Sequence, residues 1–374
     1  TSREALAKVT PAAVQKAMQT WLTRPLAEIR VLPGERGPGP YGAAEGDAEA
    51  EATTDGVEPS DDATHPIPVP EQEAEVALAP DAKQADPLAT FRLPTQTVDF
   101  DFPTVQTATL ANGVPVYFAR RTGIPMVRVV ASFDGGYSAD AKGEEGTASF
   151  ASRVMQEGTE TRDSTALAEE QERLGAVLFG GSSLEDTTFG VRTVTPNLDA
   201  SVALLSDVVR NPAFDADEIE RVRAQQLSDI DAEKSDPSSL VMRVLPPILY
   251  GKDSRYGVPF SGTGQASVVE SLDARALRRY QAEWIRPSNM KLFVIGDTDL
   301  AEVMPILDHH FGKWQNPEVA AGIVPPETTP PEQQARIIVY NRPKSPQSYI
   351  MGGQILPVKG SEELVAVNIA NDVL

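Results

Sequence analysis

Residues 146–159 read GTASFASRVMQEGT and follow the glycine-bearing acidic turn DAKGEEG. The rhythm of this stretch predicts a helix whose polar side chains share one face, because residues three and four apart lie above one another. Two metal ligands with a base between them have this spacing in helical zinc sites. None of the side chains at these positions is a good zinc ligand, however. The polar residues are Ser149, Ser152, Arg153 and Gln156.

The same helix has a second interpretation. On periodicity alone, the polar residues form the solvent face of an amphipathic helix, and Phe150, Ala151 and Val154 form its core face. Taken by itself, the stretch favours this second interpretation. The choice between the two depends on the sequence that flanks the helix.

Composition limits the classes of protein and partner. The chain has 374 residues, no cysteine and a formal net charge of -21. This length allows two or three folded units, or pieces of such units. The charge argues against nucleic acids and anionic membranes as partners, since those require clustered Lys and Arg, and it favours basic or neutral ones. Without cysteine, disulfide bonds and cysteine-based metal sites are excluded.

The first 34 residues indicate a piece of a larger unit. There is no apolar run of roughly 18 residues, and TSREALAKVT is not a signal peptide. The chain is therefore soluble and unsorted, or it begins inside a longer polypeptide. Thr10 as an N-cap and Pro11 predict a helix over about residues 8–20, and AEIRVLPG predicts a strand and its turn. One helix and one strand cannot bury each other, which favours the longer polypeptide.

Residues 35–97 differ in composition from both flanks. Between Glu45 and Asp86 there are 13 acidic residues and one lysine, with many Ala and Pro and no aromatic residue. Such a segment cannot bury enough apolar surface to offset its ordering entropy. We predict a disordered acidic linker here, rather than a solubilising tail, because folded sequence lies on both sides.

Residues 98–321 have the pattern of an α+β unit. Asn112-Gly113 separates two β-rich runs and predicts a hairpin turn. MVRVVASFDGG predicts a buried strand directly before the helix quoted above. SGTGQ lacks the lysine of a phosphate loop and predicts a turn. Over residues 322–374 two strand-like runs and the start of a helix indicate that the pattern begins again.

Six motifs in this order resemble the pitrilysin/insulinase family of zinc metallopeptidases, the inverzincins. That family also includes the mitochondrial processing peptidase and the core subunits of the respiratory bc complex. The resemblance covers about residues 107–315 and extends into both flanks. Each motif alone is moderately specific for the family, and the six motifs in this order are strong support for the resemblance. The motifs are LANGVPVYF, GTASFASRVMQEGT, RNPAFDADEIERVR, YGKDSRYGVPFSGT, YQAEWIRPSNMKLFVIGD and RPKSPQSYI.

The resemblance implies which positions would carry a zinc site. The family's helix resembles G-x-A-H-F-x-E-H, in which both histidines bind zinc and the glutamate is the general base. Ser149 stands at the first histidine, Ser152 at the glutamate and Arg153 at the second histidine. Asp229, in LSDID, stands at the third ligand, a glutamate on a later helix.

Two hydroxyls, a guanidinium and one carboxylate make no zinc site. We therefore predict no catalytic residue, no metal and no cofactor in this chain, and no activity of the chain alone. We further hypothesise that Arg153 forms an ion pair with Asp229 and fills the position of the metal.

The resemblance also implies an architecture. The fold would be an α+β metallopeptidase-like unit with a mixed, largely antiparallel sheet packed against helices. Family members have four homologous domains in two halves that close around a chamber, and one half carries zinc. Residues 1–34 would end a preceding homologous domain, 35–97 would be the tether, 98–321 a non-catalytic domain, and 322–374 the truncated start of a following domain. The family's substrate-binding Arg and Tyr would lie beyond Leu374.

Three functions follow from that architecture. In the first, the chain is the non-catalytic half of a periplasmic or otherwise soluble zinc peptidase. Zinc and catalysis would then lie in the other half, and peptides would be the substrates. Alternatively it is an inactive scaffold or binding protein of the same fold, like the bc-complex core subunits. In the third alternative it is a separately encoded partner subunit of a catalytic protein. A negative chamber would favour basic peptides, although much of the charge lies in the linker.

Other polar residues predict no further chemistry. His309 and His310 are adjacent on a helix and point about 100° apart, so they are poorly placed to chelate a metal together. His65 lies in the linker. Asp229 and Asp231 are two residues apart on a helix and do not face each other. Ser149 and Ser152 would need an activating base to act as nucleophiles, which argues against a serine hydrolase.

Overall fold

The computed structural model describes two β-sheets and the helices around them. The predicted linker at residues 35–97 lies outside the described residues. Within the described part of the chain, no helix is long and apolar enough to cross a membrane. The described residues are 10–21, 27–32, 103–327, 330, 336–341, 349–356 and 362–373.

Six strands form the larger sheet, in the order β2-β3-β7-β4-β6-β5. Only the β3–β7 pair is parallel, and the other four pairs are antiparallel. This mixed, largely antiparallel sheet confirms the predicted α+β class. The strands are β2 (Val105–Thr109), β3 (Pro115–Arg120), β4 (Met126–Asp134), β5 (Val177–Ser182), β6 (Asp186–Val194) and β7 (Met290–Gly296).

Eight helices accompany this sheet within residues 103–327. Short 3₁₀ turns lie at Tyr137–Ala139, Thr195–Asn197 and Pro287–Asn289. The helices are α2 (Thr147–Val154), α3 (Ser164–Leu174), α4 (Leu198–Arg210), α5 (Ala216–Ser235), α6 (Pro237–Tyr250), α7 (Ala266–Ser271), α8 (Ala274–Trp284) and α9 (Leu300–His310).

The β2–β3 hairpin turns at Asn112-Gly113, as predicted. Gly113 has φ +91°, which a residue without a side chain adopts readily. The Asn112 side-chain amide donates hydrogen bonds to the carbonyl oxygens of Phe311 (2.9 Å) and Trp314 (3.0 Å). This turn therefore also fixes the chain after α9.

Strand β4 is buried on one face only, which corrects the prediction of a buried strand. Val127, Val129, Ala131 and Phe133 are at most 1% exposed and belong to the core. Arg128 between them is exposed. The valine-rich run concealed this alternation, because Val130 is apolar yet lies on the side away from the core.

Two helix starts differ from the sequence pattern, in which NLDASVALLSDVVRNP predicts a helix with Asn197 as its N-cap. Asn197 precedes α4, but its side chain does not cap that helix and instead donates to the carbonyl oxygen of Leu174, at 2.8 Å. Helix α6 had no sequence prediction, because it contains Pro246 and Pro247. It begins at Pro237, whose missing N–H is no loss in a first turn, and the Asp236 side chain accepts from the Ser239 N–H.

The smaller sheet joins the two ends of the chain. Its strand order is β8-β1-β9, with β1 parallel to β8 and antiparallel to β9. Helices α1 and α10 lie against each other, and α6 packs on this sheet through an apolar cluster around Leu245. The division of residues 1–34 and 322–374 between two neighbouring domains stays a prediction. The elements are α1 (Pro11–Trp21), β1 (Ala27–Leu32), β8 (Arg336–Asn341), β9 (Tyr349–Gly353) and α10 (Glu362–Val373).

Replacing Gly146 with alanine tests how tightly the start of α2 is packed. Gly146 has φ +105°, and a Cβ there would lie 2.8 Å from the carbonyl oxygen of Thr263. Gly143 has φ +86° with nothing within 4 Å of such a Cβ. Gly143→Ala should cost about 1 kcal/mol of unfolding free energy from its φ alone. Gly146→Ala should cost about 1–3 kcal/mol more, measured by urea unfolding, and equal losses would contradict this packing.

Candidate functional site

Helix α2 carries the positions that the sequence analysis singled out. Its apolar side, with Phe150, Ala151 and Val154, is buried in the core. Its amino end has no side-chain cap at Gly146. Instead the Asp140 carboxylate accepts hydrogen bonds from the backbone N–H groups of Gly146 (2.8 Å) and Ala148 (3.0 Å). These two bonds satisfy N–H groups that have no partner within the helix, so Asp140 fixes where α2 begins.

The hypothesised ion pair between Arg153 and Asp229 is present. The Arg153 Nη1 lies 2.7 Å from the Asp229 Oδ2, and the two side chains are 37% and 42% exposed. The pair connects α2 with α5. A positive guanidinium thus lies directly against the Asp229 carboxylate.

The two serines are directed into the protein. Ser152 is fully buried and its hydroxyl donates to the Ser149 carbonyl oxygen at 3.0 Å. Ser149 is 8% exposed, and a Cβ built on Gly262 would lie 2.9 Å from its hydroxyl oxygen. The solvent-face interpretation is therefore wrong for both serines, and the chain around Gly262 lies against Ser149. Gln156 is half-buried and donates to the Ser152 carbonyl oxygen, at 2.8 Å.

The chain around Gly262, which lies against Ser149, is the turn predicted at SGTGQ. Gly262 and Gly264 have φ +70° and +74°. Arg243 from α6 donates to the Gly264 carbonyl oxygen (2.6 Å) and the Thr263 hydroxyl (2.8 Å), and it forms an ion pair with Glu233. Arg243 and Glu233 are only 13% and 15% exposed. This buried pair holds the turn over α2.

Gln226 connects that turn to α2. It is fully buried on α5, and its side-chain N–H group donates to the carbonyl oxygens of Thr263 (2.9 Å) and Gly146 (3.4 Å). Sequence reasoning missed Gln226 and Asp140. Gln226 lies three residues before Asp229 and therefore on the same side of α5. This spacing is the sequence signal by which Gln226 could have been identified. Asp140, in the acidic turn before Gly146, could have been identified as a cap.

The remaining candidates lie apart from α2. The His310 Nε2 lies 2.9 Å from the Asp199 Oδ1, at the end of α9. Asp231 pairs with Lys234 at 3.6 Å, and Asp229 pairs with Arg153. The two aspartates therefore serve different cations, as their spacing predicted. Among the described residues, no group of three or more His, Cys, Asp or Glu side chains could hold a metal ion.

Burial changes the acidity of two groups near the start of α2. It raises the pKa of Asp140 to about 8, against the opposing effect of the two backbone N–H groups. It also raises the pKa of Tyr280, whose hydroxyl lies 3.0 Å from that of Thr187. Asp140 therefore binds a proton more tightly in the folded protein than in the unfolded chain.

Two family models match this chain. The model described as "Insulinase (Peptidase family M16)" matches residues 118–257, and "Peptidase M16 inactive domain" matches residues 271–374. The first match contains α2 and Asp229, and the second contains the strands β8 and β9. The chain belongs to the insulinase (M16) family. The resemblance deduced from the motifs is thereby confirmed.

Proteins similar in sequence to this M16 chain include one named as a zinc protease and one named as a respiratory-complex subunit. It is 26% identical over 162 residues to the "Uncharacterized zinc protease" of Rickettsia bellii, which covers 43% of this chain and 39% of that protein. It is 25% identical over 281 residues to human "Cytochrome b-c1 complex subunit 1, mitochondrial", covering 73% and 55%. The chain thus spans roughly half the length of these relatives or less.

A solved structure shares the fold. It is that of the peptidase M16 inactive domain from Pseudomonas fluorescens, with a TM-score of 0.56 and 24% sequence identity. The alignment covers 61% of this chain and 54% of the Pseudomonas chain. The α+β architecture described above is therefore the M16 architecture.

The residues of this M16 domain do not fit a zinc ion. Zinc in catalytic sites takes three protein ligands and a water. Here Asp229 is held by a guanidinium, the Ser152 hydroxyl is bonded within its own helix, and Ser149 is covered by the Gly262 turn. The arrangement can join two helices, and it cannot polarise a water molecule as a metal does.

Removing Arg153 should be tolerated. The Arg153–Asp229 pair is half-exposed, so Arg153→Ala should lower the unfolding free energy by at most about 1 kcal/mol. Arg162→Ala serves as the comparison, because its partner Asp207 is only 15% exposed and would remain as a more buried carboxylate. That variant should lose about 1–2 kcal/mol. Urea unfolding of both variants checks the order, and a larger loss for Arg153→Ala would contradict it.

The raised pKa of Asp140 predicts a pH dependence of stability. Its pKa is about 8 in the folded protein and about 3.9 in an unfolded chain. Between these values the folded state binds more protons, so stability should fall as pH rises from about 4 to 8. Asp140→Asn removes this titration. Its melting temperature should fall less steeply over that range than that of the wild type, and parallel curves would contradict the assignment.

Proposed function

We propose that this chain is the non-catalytic half of an M16 zinc metallopeptidase. In this proposal it forms one wall of a clamshell chamber that binds peptides, and a zinc site in the other half hydrolyses them. The observation that carries the proposal is the Arg153–Asp229 ion pair at 2.7 Å, where the family's resemblance places metal ligands.

The positive charge of Arg153 supports the proposal that the site is inactive. A zinc ion needs its ligands deprotonated and directed at one point. The Arg153 guanidinium is a cation, so it repels a metal ion and neutralises Asp229. With Ser149 and Ser152 turned inward, no general base stands beside a metal position either. Catalysis would therefore reside in another half, in the same chain or in a partner subunit.

The exposed surface of the smaller sheet supports a further unit beside it. Ile337 and Val339 of β8 and Ile350 of β9 are 68%, 52% and 51% exposed, and these two strands flank β1. Apolar patches of this kind mark surfaces that another unit covers. In the proposed architecture, residues 1–34 and 322–374 belong to neighbouring homologous domains, and residues 35–97 connect the halves.

An inactive scaffold is the second candidate. The similarity to human cytochrome b-c1 complex subunit 1, over 73% of this chain, favours it. A scaffold of this kind would associate with partners without any turnover of peptides. The two candidates differ in whether a zinc-bearing half accompanies this chain.

Zinc analysis and peptide hydrolysis test the proposal. The chain alone should contain no stoichiometric zinc and should not cleave a fluorescence-quenched peptide. Adding a zinc-bearing M16 half, fused before Thr1 or as a separate subunit, should give a stable complex with zinc-dependent turnover.

The outcomes separate the candidates. Stoichiometric zinc or turnover with the chain alone would refute the non-catalytic assignment. A stable complex whose turnover equals that of the zinc-bearing half alone would favour the scaffold. The variant Arg153→Ala serves as a control, since the proposal assigns this residue no part in turnover by the complex.

A further inference from the structure

The larger sheet has one face that its own core does not cover. Alternate residues of its strands are buried, and the residues between them point to the opposite side. On that opposite side, Phe293 and Ile295 of β7 are 38% and 46% exposed, and Val177 of β5 is 48% exposed. We call this side the open face. A sheet face of this extent with exposed apolar side chains is a candidate contact surface.

Two arginines meet on the open face. Arg128 of β4 is directly opposite Arg192 of β6 in the antiparallel register, and both side chains are exposed. Like charges directly opposite in a sheet are destabilising. Within the described residues, no carboxylate pairs with either arginine. The Arg128 guanidinium lies over the Phe179 ring, 4.4 Å from its centroid, which holds it above the sheet.

An apolar band runs beside the arginine pair. The rings of Tyr117 and Phe293 are stacked, with centroids 5.2 Å apart and an angle of 17° between their planes. Ile295 is opposite Arg128 in the register and continues the band to it. The open face therefore offers adjoining apolar surface and positive charge.

The acidic groups of this face lie at its other end. Asp134 and Asp186 are opposite each other, six residues from the arginine pair along each strand, or about 20 Å. Asp134 is already paired with Lys291 at 2.7 Å, and Asp186 accepts from the Ser183 hydroxyl at 2.7 Å. The charge around Arg128 and Arg192 is therefore positive, in a chain whose net charge is -21.

We infer that the open face binds acidic peptide segments that also carry apolar side chains. A carboxylate would be placed between Arg128 and Arg192, where it would relieve their repulsion, and neighbouring apolar side chains would cover Phe293 and Ile295. This inference rests on the proposed function, because it specifies the peptides that the chamber wall would hold. It differs from the preference for basic peptides that net charge alone suggested.

Peptide binding to the purified chain tests the inference. The probe is a fluorescein-labelled peptide in which Glu alternates with Leu, compared with versions that carry Gln or Lys in place of Glu. Fluorescence anisotropy should show that the Glu peptide binds more tightly than the Gln peptide, with the Lys peptide the weakest. The preference should diminish as salt is raised, because exposed charge pairs are screened.

The variant R128Q/R192Q removes the pair. It should weaken binding of the Glu peptide about tenfold, because two exposed ion pairs with the peptide are lost. Binding of the Gln peptide should be unchanged. The control R275Q/K313Q removes the same charge from exposed positions on the helix-covered side and should bind like the wild type. The melting temperature of R128Q/R192Q should be equal to or higher than that of the wild type, because a like-charge contact is lost.

Several results would overturn the inference. These are equal binding of all three peptides, an unchanged affinity of R128Q/R192Q for the Glu peptide, or an equal loss in the control. If the chain binds no peptide but self-associates, and R128Q/R192Q abolishes that self-association, the open face is a contact between copies of the chain instead. If this inference fails while the zinc-bearing half still gives turnover with this chain, the proposed function stands.

Discussion

The position of α2 depends on one carboxylate at its amino end. Asp140 accepts two backbone N–H groups that would otherwise lack partners inside the protein. Because Gly146 and Gly264 are in close contact, the turn over α2 can approach only where both residues lack a side chain. Gln226 and Arg243 then bind the same turn from two other helices. Removing Asp140 would therefore disturb α2 together with the turn that packs on it.

In the M16 frame of this chain, a cationic side chain lies against Asp229. In a metal site, the ion neutralises carboxylates and ties together the helices that supply them. Arg153 performs both tasks for Asp229, from α2 to α5. In the proposed function, the guanidinium neutralises Asp229 and leaves no open coordination position for chemistry.

Much of this arrangement could be predicted from the sequence, for local reasons. The hairpin at Asn112-Gly113 and the cap at Thr10 depend on neighbouring residues only. The Arg153–Asp229 pair required the family frame, because its partners are 76 residues apart. The burial of Ser149 could not be predicted, since it depends on a turn more than 100 residues later in the chain. The opposition of Arg128 and Arg192 likewise follows from strand register, which the pattern of one strand does not specify.

The smaller sheet has a consequence for the order in which the chain folds. Ala27 pairs with Arg336 and also with Gly353, so the central strand of that sheet meets both partners only after about 300 further residues have been synthesised. Contacts this distant carry a large loop-closure cost and form slowly. The six strands of the larger sheet, all within residues 105–296, can associate earlier during synthesis. Until Arg336 emerges, β1 lacks both of the strands that it pairs with in the described sheet, and unpaired strand edges favour misassociation between nascent chains.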